Sequence, residues 1–205
     1  MDAVEDVVTL LDWRRRIAEL YAEIRGTGDP QAAWHRWSEA RARLFSRHPQ
    51  SPVPAAERDG YNGPHVYEYD PGWRVLATLE RADPVRLELP TSDSRLMAFT
   101  RFALARFQAG GAELSLDLYW LDGYGGGLFV PFADTTSGSE TYGAGRYALD
   151  TVKGADLGEQ DGRLVLDFNF AYQPSCSYDS RWSCPLAPPA NRLPVAVRAG
   201  ERIGS

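Results

Sequence analysis

Two hydrophobic periods divide the chain. From Val7 to Ile24, Val7, Leu10, Leu11, Ile17, Leu20, Tyr21 and Ile24 recur at helical spacing, with Arg14, Arg15, Glu19 and Glu23 between them. Residues three and four apart share one face of a helix, so this pattern predicts an amphipathic helix. Gly26 stands where a helix stop belongs. Asp29-Pro30 then offers an N-cap followed by a proline in the first turn. Ala33, Trp34, Trp37, Ala40, Arg41, Leu44 and Phe45 continue a second helix that ends before His48-Pro49. Residues 1–48 are therefore expected to form a helical hairpin. Pro49 to Gly63, rich in proline, glycine and charge, reads as a connection.

Beyond it the period falls to two. His65–Tyr69, Trp73–Glu80, Val85–Leu89, Met97–Gln108, Glu113–Leu121, Leu128–Ala133, Arg146–Lys153, Arg163–Phe170 and Leu193–Arg198 alternate or form short apolar runs. Ala109-Gly110-Gly111 marks a hairpin, and Asp122 to Gly127 a further turn. About nine strands at regular spacing with few helices between them predict a mainly β (α+β) fold. The expectation is an antiparallel β-barrel or sandwich over residues 64–205, in a single domain with the helical hairpin added.

Composition narrows this picture. A chain of 205 residues buries roughly 70% of its unfolded surface without help from disulfides or metal. Aromatics make up 12%, including six Trp and ten Tyr, which suits pleated surfaces and ligand pockets. A net charge of −6 argues against a nucleic-acid partner, whose phosphates need a basic face. The acidic start MDAVEDVV lacks the basic and apolar regions of a secretion signal, and no apolar run approaches the ~20 residues of a membrane span. A cytoplasmic location with no membrane partner is expected, and there Cys176 and Cys184 are expected to stay reduced.

Candidate chemistry concentrates in two stretches. In LFVPFADTTSGSETYGAGRY (Leu128–Tyr147), Arg146 follows a glycine-rich crossing at the mouth of a strand. A buried arginine needs a carboxylate, and Asp134, Glu140 and Asp167 are the candidates. Arg146 then reads either as a planar fork for an anionic or carbonyl-bearing ligand or as half of a structural ion pair. The glycines lack the Gly-Lys-Ser/Thr ending of a phosphate loop and are expected instead at positive φ or at close backbone approaches. Cys176 and Cys184, separated by seven residues, have no nearby His or further Cys to complete a zinc site. They read as two buried thiols or as a redox pair. No cofactor and no metal is expected. With three His in the chain, acid–base work falls to carboxylates and tyrosines. Glu140, Tyr142, Asp167 and Cys176 are the catalytic candidates. Asp134, Glu140, Tyr142, Arg146, Asn169, Tyr172, Cys176 and Cys184 are the ligand-binding candidates.

These stretches resemble the uncharacterised bacterial and archaeal "domain of unknown function 1684" family. Its pattern is similar to PFxDxTxGxETYGxGRY, then LDFNxAYNPxCAY, a Cys-Pro pair and ENRLxVxIxAGE. Pro131, Phe132, Asp134, Gly138, Glu140 to Gly143 and Gly145 to Tyr147 fill the first motif. Asp167, Phe168, Asn169, Ala171, Tyr172, Pro174, Cys176 and Tyr178 fill the second; Cys184, Pro185, Asn191, Arg192, Leu193 and Ala199 to Glu201 fill the rest. Gln173, Ser177 and Ala190 depart from it, standing where Asn, Ala and Glu are usual. The resemblance implies where a site lies and names no activity. The residues themselves favour a small-molecule-binding β-barrel protein of unknown ligand, either a ligand carrier or an enzyme of acid–base type. The alternatives are an interaction module presenting Trp34 and Trp37 or the Pro-rich C-terminal loop, and a Cys176/Cys184 thiol-redox protein.

Overall fold

In the computed structural model, which describes residues 3–204, two helices open the chain. The first, α1 (Ala3–Gly26), carries Glu5 and Asp6 in its first turn and Arg25 in its last, matching the helix dipole. The second, α2 (Pro30–Arg47), starts as its sequence requires: Asp29 Oδ1 accepts from the backbone N–H of Gln31 (2.9 Å) and Ala32 (3.2 Å). Ala33, Trp34, Trp37, Arg41, Leu44 and Phe45 form its buried face, the periodic set read from the sequence. Trp37 Nε1 donates to Tyr21 Oη (3.2 Å) and ties the two helices together. Only the C-terminal half of α1 packs as expected, through Ile17, Leu20, Tyr21 and Ile24. Val7 and Leu11 are exposed. At 3.6 residues per turn, Leu11 points about 180° away from Leu20, so the two cannot share one buried stripe.

A two-stranded antiparallel sheet joins β1 (His65–Val66) to β9 (Glu201–Arg202). The large sheet contains β2 (Arg74–Pro90), β3 (Leu96–Ala109), β4 (Ala112–Leu121), β5 (Leu128–Phe132), β6 (Arg146–Asp150), β7 (Glu159–Gln160) and β8 (Arg163–Asp167). Its order is β6-β5-β4-β3-β2-β8-β7, with every neighbouring pair antiparallel. The mixed α+β class and the nine strands among the described residues agree with expectation. A closed barrel is not formed, because β6 and β7 end the order without pairing with each other. Two further corrections concern register. The segments Trp73–Glu80 and Val85–Leu89 belong to one 17-residue strand, β2, with a shift between Arg81 and Val85. Pro84 lies there; it has no N–H for a ladder and is tolerated at a bulge. Leu193–Arg198 is not a strand. Its backbone bonds singly to other loops, as in Leu193 N–H to Ala133 O (2.8 Å), and it supplies the Val197 carbonyl to Arg146.

Each face of the sheet carries a buried cluster. On one, α1 and α2 cover a core that includes Ala77, Ala105, Phe107, Leu114, Leu116, Leu118, Val130, Phe132 and Leu166. On the other, Leu89, Phe99, Tyr119, Phe129 and Tyr147 form a smaller cluster. The Cys-containing loop straps over this cluster: Tyr147 Oη donates to Pro185 O, and Leu186 N–H donates to Pro90 O (2.9 Å). Gly110 (φ +57°) and Gly111 (φ +75°) make the β3–β4 hairpin turn read from the sequence.

The glycine before Arg146 serves the fold as expected. Gly145 has φ +96°, and a Cβ there would lie 2.5 Å from Phe132 O and 2.9 Å from Ala187 Cβ. Gly145→Ala is expected to destabilise the protein by roughly 2–4 kcal/mol, combining left-handed strain with the clash. Urea denaturation checks this; an unchanged midpoint would remove Gly145 as a constraint on the approach of β5 to β6.

Candidate functional site

Of the three carboxylates expected as partners for Arg146, the structure selects Asp134. The two side chains meet at 2.9 Å, each 1% exposed. Arg146 also donates Nη1 to the carbonyls of Ala199 and Glu201 and Nη2 to that of Val197 (2.7 Å). Asp134 Oδ1 accepts from Thr136 N–H (2.7 Å) and Thr136 Oγ1 (2.6 Å). Burial pulls the Arg146 pKa down, and the Asp134 carboxylate beside it opposes that shift. With four of its donor bonds going to protein oxygens, Arg146 works here as a clamp on the C-terminal segment.

Glu140 lies away from that pair, at the surface. Its carboxylate takes a bidentate ion pair from Arg198 (2.7 and 2.9 Å) and a hydrogen bond from Tyr67 Oη (3.0 Å). These donors lower its pKa to about 2, so it stays ionised and is poorly suited to carry a proton near neutrality. Glu140 and Arg146 therefore have separate partners, although the same glycine-rich crossing delivers both.

A second buried ion pair was not singled out as a site in the sequence. Arg41 on α2 reaches Glu201 of β9 at 2.6 Å, across 160 residues. The guanidinium lies over the rings of Trp37, Phe45 and Tyr172 (5.2, 4.6 and 4.9 Å). Glu201 Oε2 accepts from Gln173 N–H (2.8 Å) and Tyr178 Oη (3.3 Å). Tyr172 is thus committed to a cation–π wall, and its Oη approaches Asp150 Oδ2 at 3.4 Å. The signal available beforehand was an arginine within the apolar face of the second helix.

Asp167 and Asn169 are brought together. Asp167 ends β8 and caps the following 3-10 turn. Its Oδ1 accepts from both the backbone N–H (3.0 Å) and Nδ2 (2.8 Å) of Asn169. Asn169 is pinned in turn by Asp70, accepting from its N–H (2.9 Å) and donating to its carbonyl (2.8 Å). Asp167 Oδ2 has Arg74 Nε at 3.9 Å. The carboxyl lines a cleft of about 290 Å³ between the α1–α2 turn and the β7–β8 edge, with Arg74, Gln160 and Thr27 among its polar walls and Val165, Leu157 and Phe170 among its apolar ones. Burial raises its pKa to about 6, against the opposing hydrogen bonds from Asn169 and the charge of Arg74.

Cys176, Cys184 and Tyr142 form a third group. Tyr142 Oη lies 3.8 Å from Cys176 Sγ. Cys184 is buried and Cys176 is half-buried, so the expectation of two buried thiols holds for Cys184 alone. Trp34 and Trp37 are 5% and 0% exposed; they build the core and are not a partner surface. Among the described residues no cluster of three or more His, Cys, Asp or Glu is placed to hold a metal ion, and no helix is long and apolar enough to cross a membrane.

A solution structure of an uncharacterized Haloarcula marismortui protein is 37% identical, with 88% of this chain and 97% of that chain covered at a TM-score of 0.62. No curated protein matches. The model of the family described as "Protein of unknown function (DUF1684)" matches residues 59–202, which hold Asp134, Arg146, Asp167, both cysteines and Glu201, and the chain belongs to that family.

Proposed function

We propose that this protein binds a small polar molecule in the Asp167 cleft and that Asp167 exchanges a proton with it. The observation that carries this reading is a clamped carboxyl with one committed oxygen: Asn169 holds Oδ1, and the group lines a cleft. A volume of about 290 Å³ is at the small end of ligand sites, which run from roughly 300 Å³ upward, so the ligand is a small one. A carboxyl that titrates near 6 is mostly ionised at neutral pH yet basic enough to take a proton from an O–H or N–H donor. Arg74 balances the negative charge on the side of the cleft.

The pH dependence has a definite sign. The folded protein holds the Asp167 proton more tightly than the unfolded chain, where the group ionises near 3.8. Its contribution to stability is therefore greatest below about pH 4 and falls as pH rises towards 6, by about 3 kcal/mol in full. Asp167→Asn is expected to abolish that slope and to be more stable than the parent at pH 7. Chemical denaturation of both proteins between pH 4 and 7 reads it. For binding, a fragment screen of small hydroxy and amino compounds by amide NMR is expected to shift Asn169 and Ala33 in the parent and not in Asp167→Asn. Parallel pH slopes for the two proteins, with no fragment shifting these amides, would overturn the proposal.

A further inference from the structure

The chain has two cysteines, and both are free thiols. The strap over the second face of the sheet brings them together. Cys176 sits in the 3-10 turn Ser175–Ser177, half-buried, with Tyr142 Oη at 3.8 Å. Cys184 is buried and locked to the β2–β3 turn: its N–H donates to Ser92 Oγ (3.2 Å), and its carbonyl accepts from Ser92 N–H (2.9 Å). The Cys184 thiol and the Ser92 hydroxyl lie within hydrogen-bonding reach of Cys176 Sγ. Cys176 is the more exposed of the two, Cys184 is buried, and three donors surround the Cys176 sulfur.

We infer that Cys176 and Cys184 form a redox-active dithiol that exchanges with low-molecular-weight disulfides, Cys176 attacking and Cys184 resolving. This site is built from residues other than those of the Asp167 cleft and stands independently of the function proposed for it. The order of attack follows from access and from the donors. Cys184, Ser92 and Tyr142 stabilise the Cys176 thiolate against the penalty of burial, and the Cys176 pKa falls to about 6. The Cys184 thiol, donating to that thiolate and buried, is pushed the other way. A thiolate, not a thiol, is the nucleophile in exchange.

The chemistry balances with a disulfide RSSR as oxidant. Cys176 S⁻ attacks one sulfur, the S–S bond of RSSR breaks, and RS⁻ leaves, giving Cys176–S–S–R. The mixed disulfide no longer holds the Cys184 proton; the departing RS⁻ takes it as RSH. Cys184 S⁻ then attacks Cys176 Sγ, the Cys176–S–S–R bond breaks, and a second RS⁻ leaves and is protonated by solvent. In net terms the dithiol is oxidised by two electrons, and RSSR is reduced to two RSH.

The full chain is tested with bis(2-hydroxyethyl) disulfide as the probe and read by intact-protein and peptide mass spectrometry. The parent is expected to lose two hydrogens and to give a Cys176–Cys184 cross-link without a retained adduct. Cys184→Ser is expected to trap one hydroxyethyl adduct on Cys176, and folded Cys176→Ser to react at least tenfold more slowly. Iodoacetamide labelling of Cys184→Ala and Tyr142→Phe supplies a second measure, since each variant removes one donor and should move the pH midpoint of Cys176 alkylation upward from that of the parent. Far-UV dichroism confirms that each variant is folded. Adduct retained on the parent, faster reaction at Cys184 than at Cys176, or a parent midpoint at the ordinary thiol value of about 8.5 would overturn the inference.

Discussion

Arg146→Leu is expected to abolish stable folding. The substitution leaves the Asp134 carboxylate 1% exposed without its cation and takes the donor from the carbonyls of Val197, Ala199 and Glu201. Removing one partner of a buried ion pair costs about 3–5 kcal/mol, and orphaned carbonyls add to that. Domains of this kind have a total stability of about 5–15 kcal/mol, so most of it is lost. Asp134→Asn/Arg146→Leu should recover part of the loss, because no buried carboxylate is stranded. Arg146→Lys keeps the charge, but a single ammonium cannot replace a planar fork that serves one carboxylate and three carbonyls. Thermal and urea denaturation rank the series parent, then Arg146→Lys, then Arg146→Leu. A melting temperature for Arg146→Leu within a few degrees of the parent would show that the clamp contributes little, and would reopen Arg146 as a ligand group.

Glu201→Leu is expected to have the second-largest effect, again about 3–5 kcal/mol. Arg41 would remain as a buried cation above three aromatic rings, and Gln173 N–H and Tyr178 Oη would lose their acceptor. Stacking on Trp37, Phe45 and Tyr172 softens the penalty without replacing a carboxylate. Arg41→Met removes the other partner and strands Glu201 in its place. The double variant Arg41→Met/Glu201→Leu strands neither, and a double-mutant cycle should show a coupling of at least 1–2 kcal/mol. Additive losses would mean that the two side chains act independently despite their 2.6 Å contact. Because Glu201 belongs to β9 and Arg41 to α2, the pair links the helical hairpin to the small sheet.

Several parts of these networks were readable beforehand, and each rests on a short-range rule. Asp29-Pro30 predicted the start of α2, and the Asp29 carboxylate does cap it. Ala109-Gly110-Gly111 predicted a hairpin, and both glycines adopt positive φ. A buried arginine needs a carboxylate, which put Asp134 on the short list of partners for Arg146. Misreadings arose where a local pattern has two tertiary outcomes. Period-two alternation is the same in a closed barrel and in an open sheet, so nothing in Arg146–Asp150 says that it is an edge. Apolar alternation in Leu193–Arg198 matches a strand, yet its Val197 carbonyl goes to a guanidinium. Val7 and Leu11 are expected in the same helical stripe as Leu20, but they point away from it, to a side where the fold provides no cover.

For function the division is similar. The two dense stretches, around Asp134–Arg146 and Asp167–Cys184, mark where buried polar groups gather. Their roles separated only in three dimensions: Arg146 is enclosed, Glu140 is paired at the surface, and Asp167 lines a cleft. By itself the sequence determined the helices, the turns, the predominance of strands and the need for a carboxylate beside Arg146, because backbone dihedrals, side-chain period and the desolvation of charge act within a few residues or on one side chain. Tertiary structure alone decided that the sheet stays open, that Arg41 meets Glu201 and that Cys176 and Cys184 share one hydrogen-bonded site. Those outcomes depend on which distant segments come to pack together, and that is set by the packing energy of the whole core against the entropy of closing long loops.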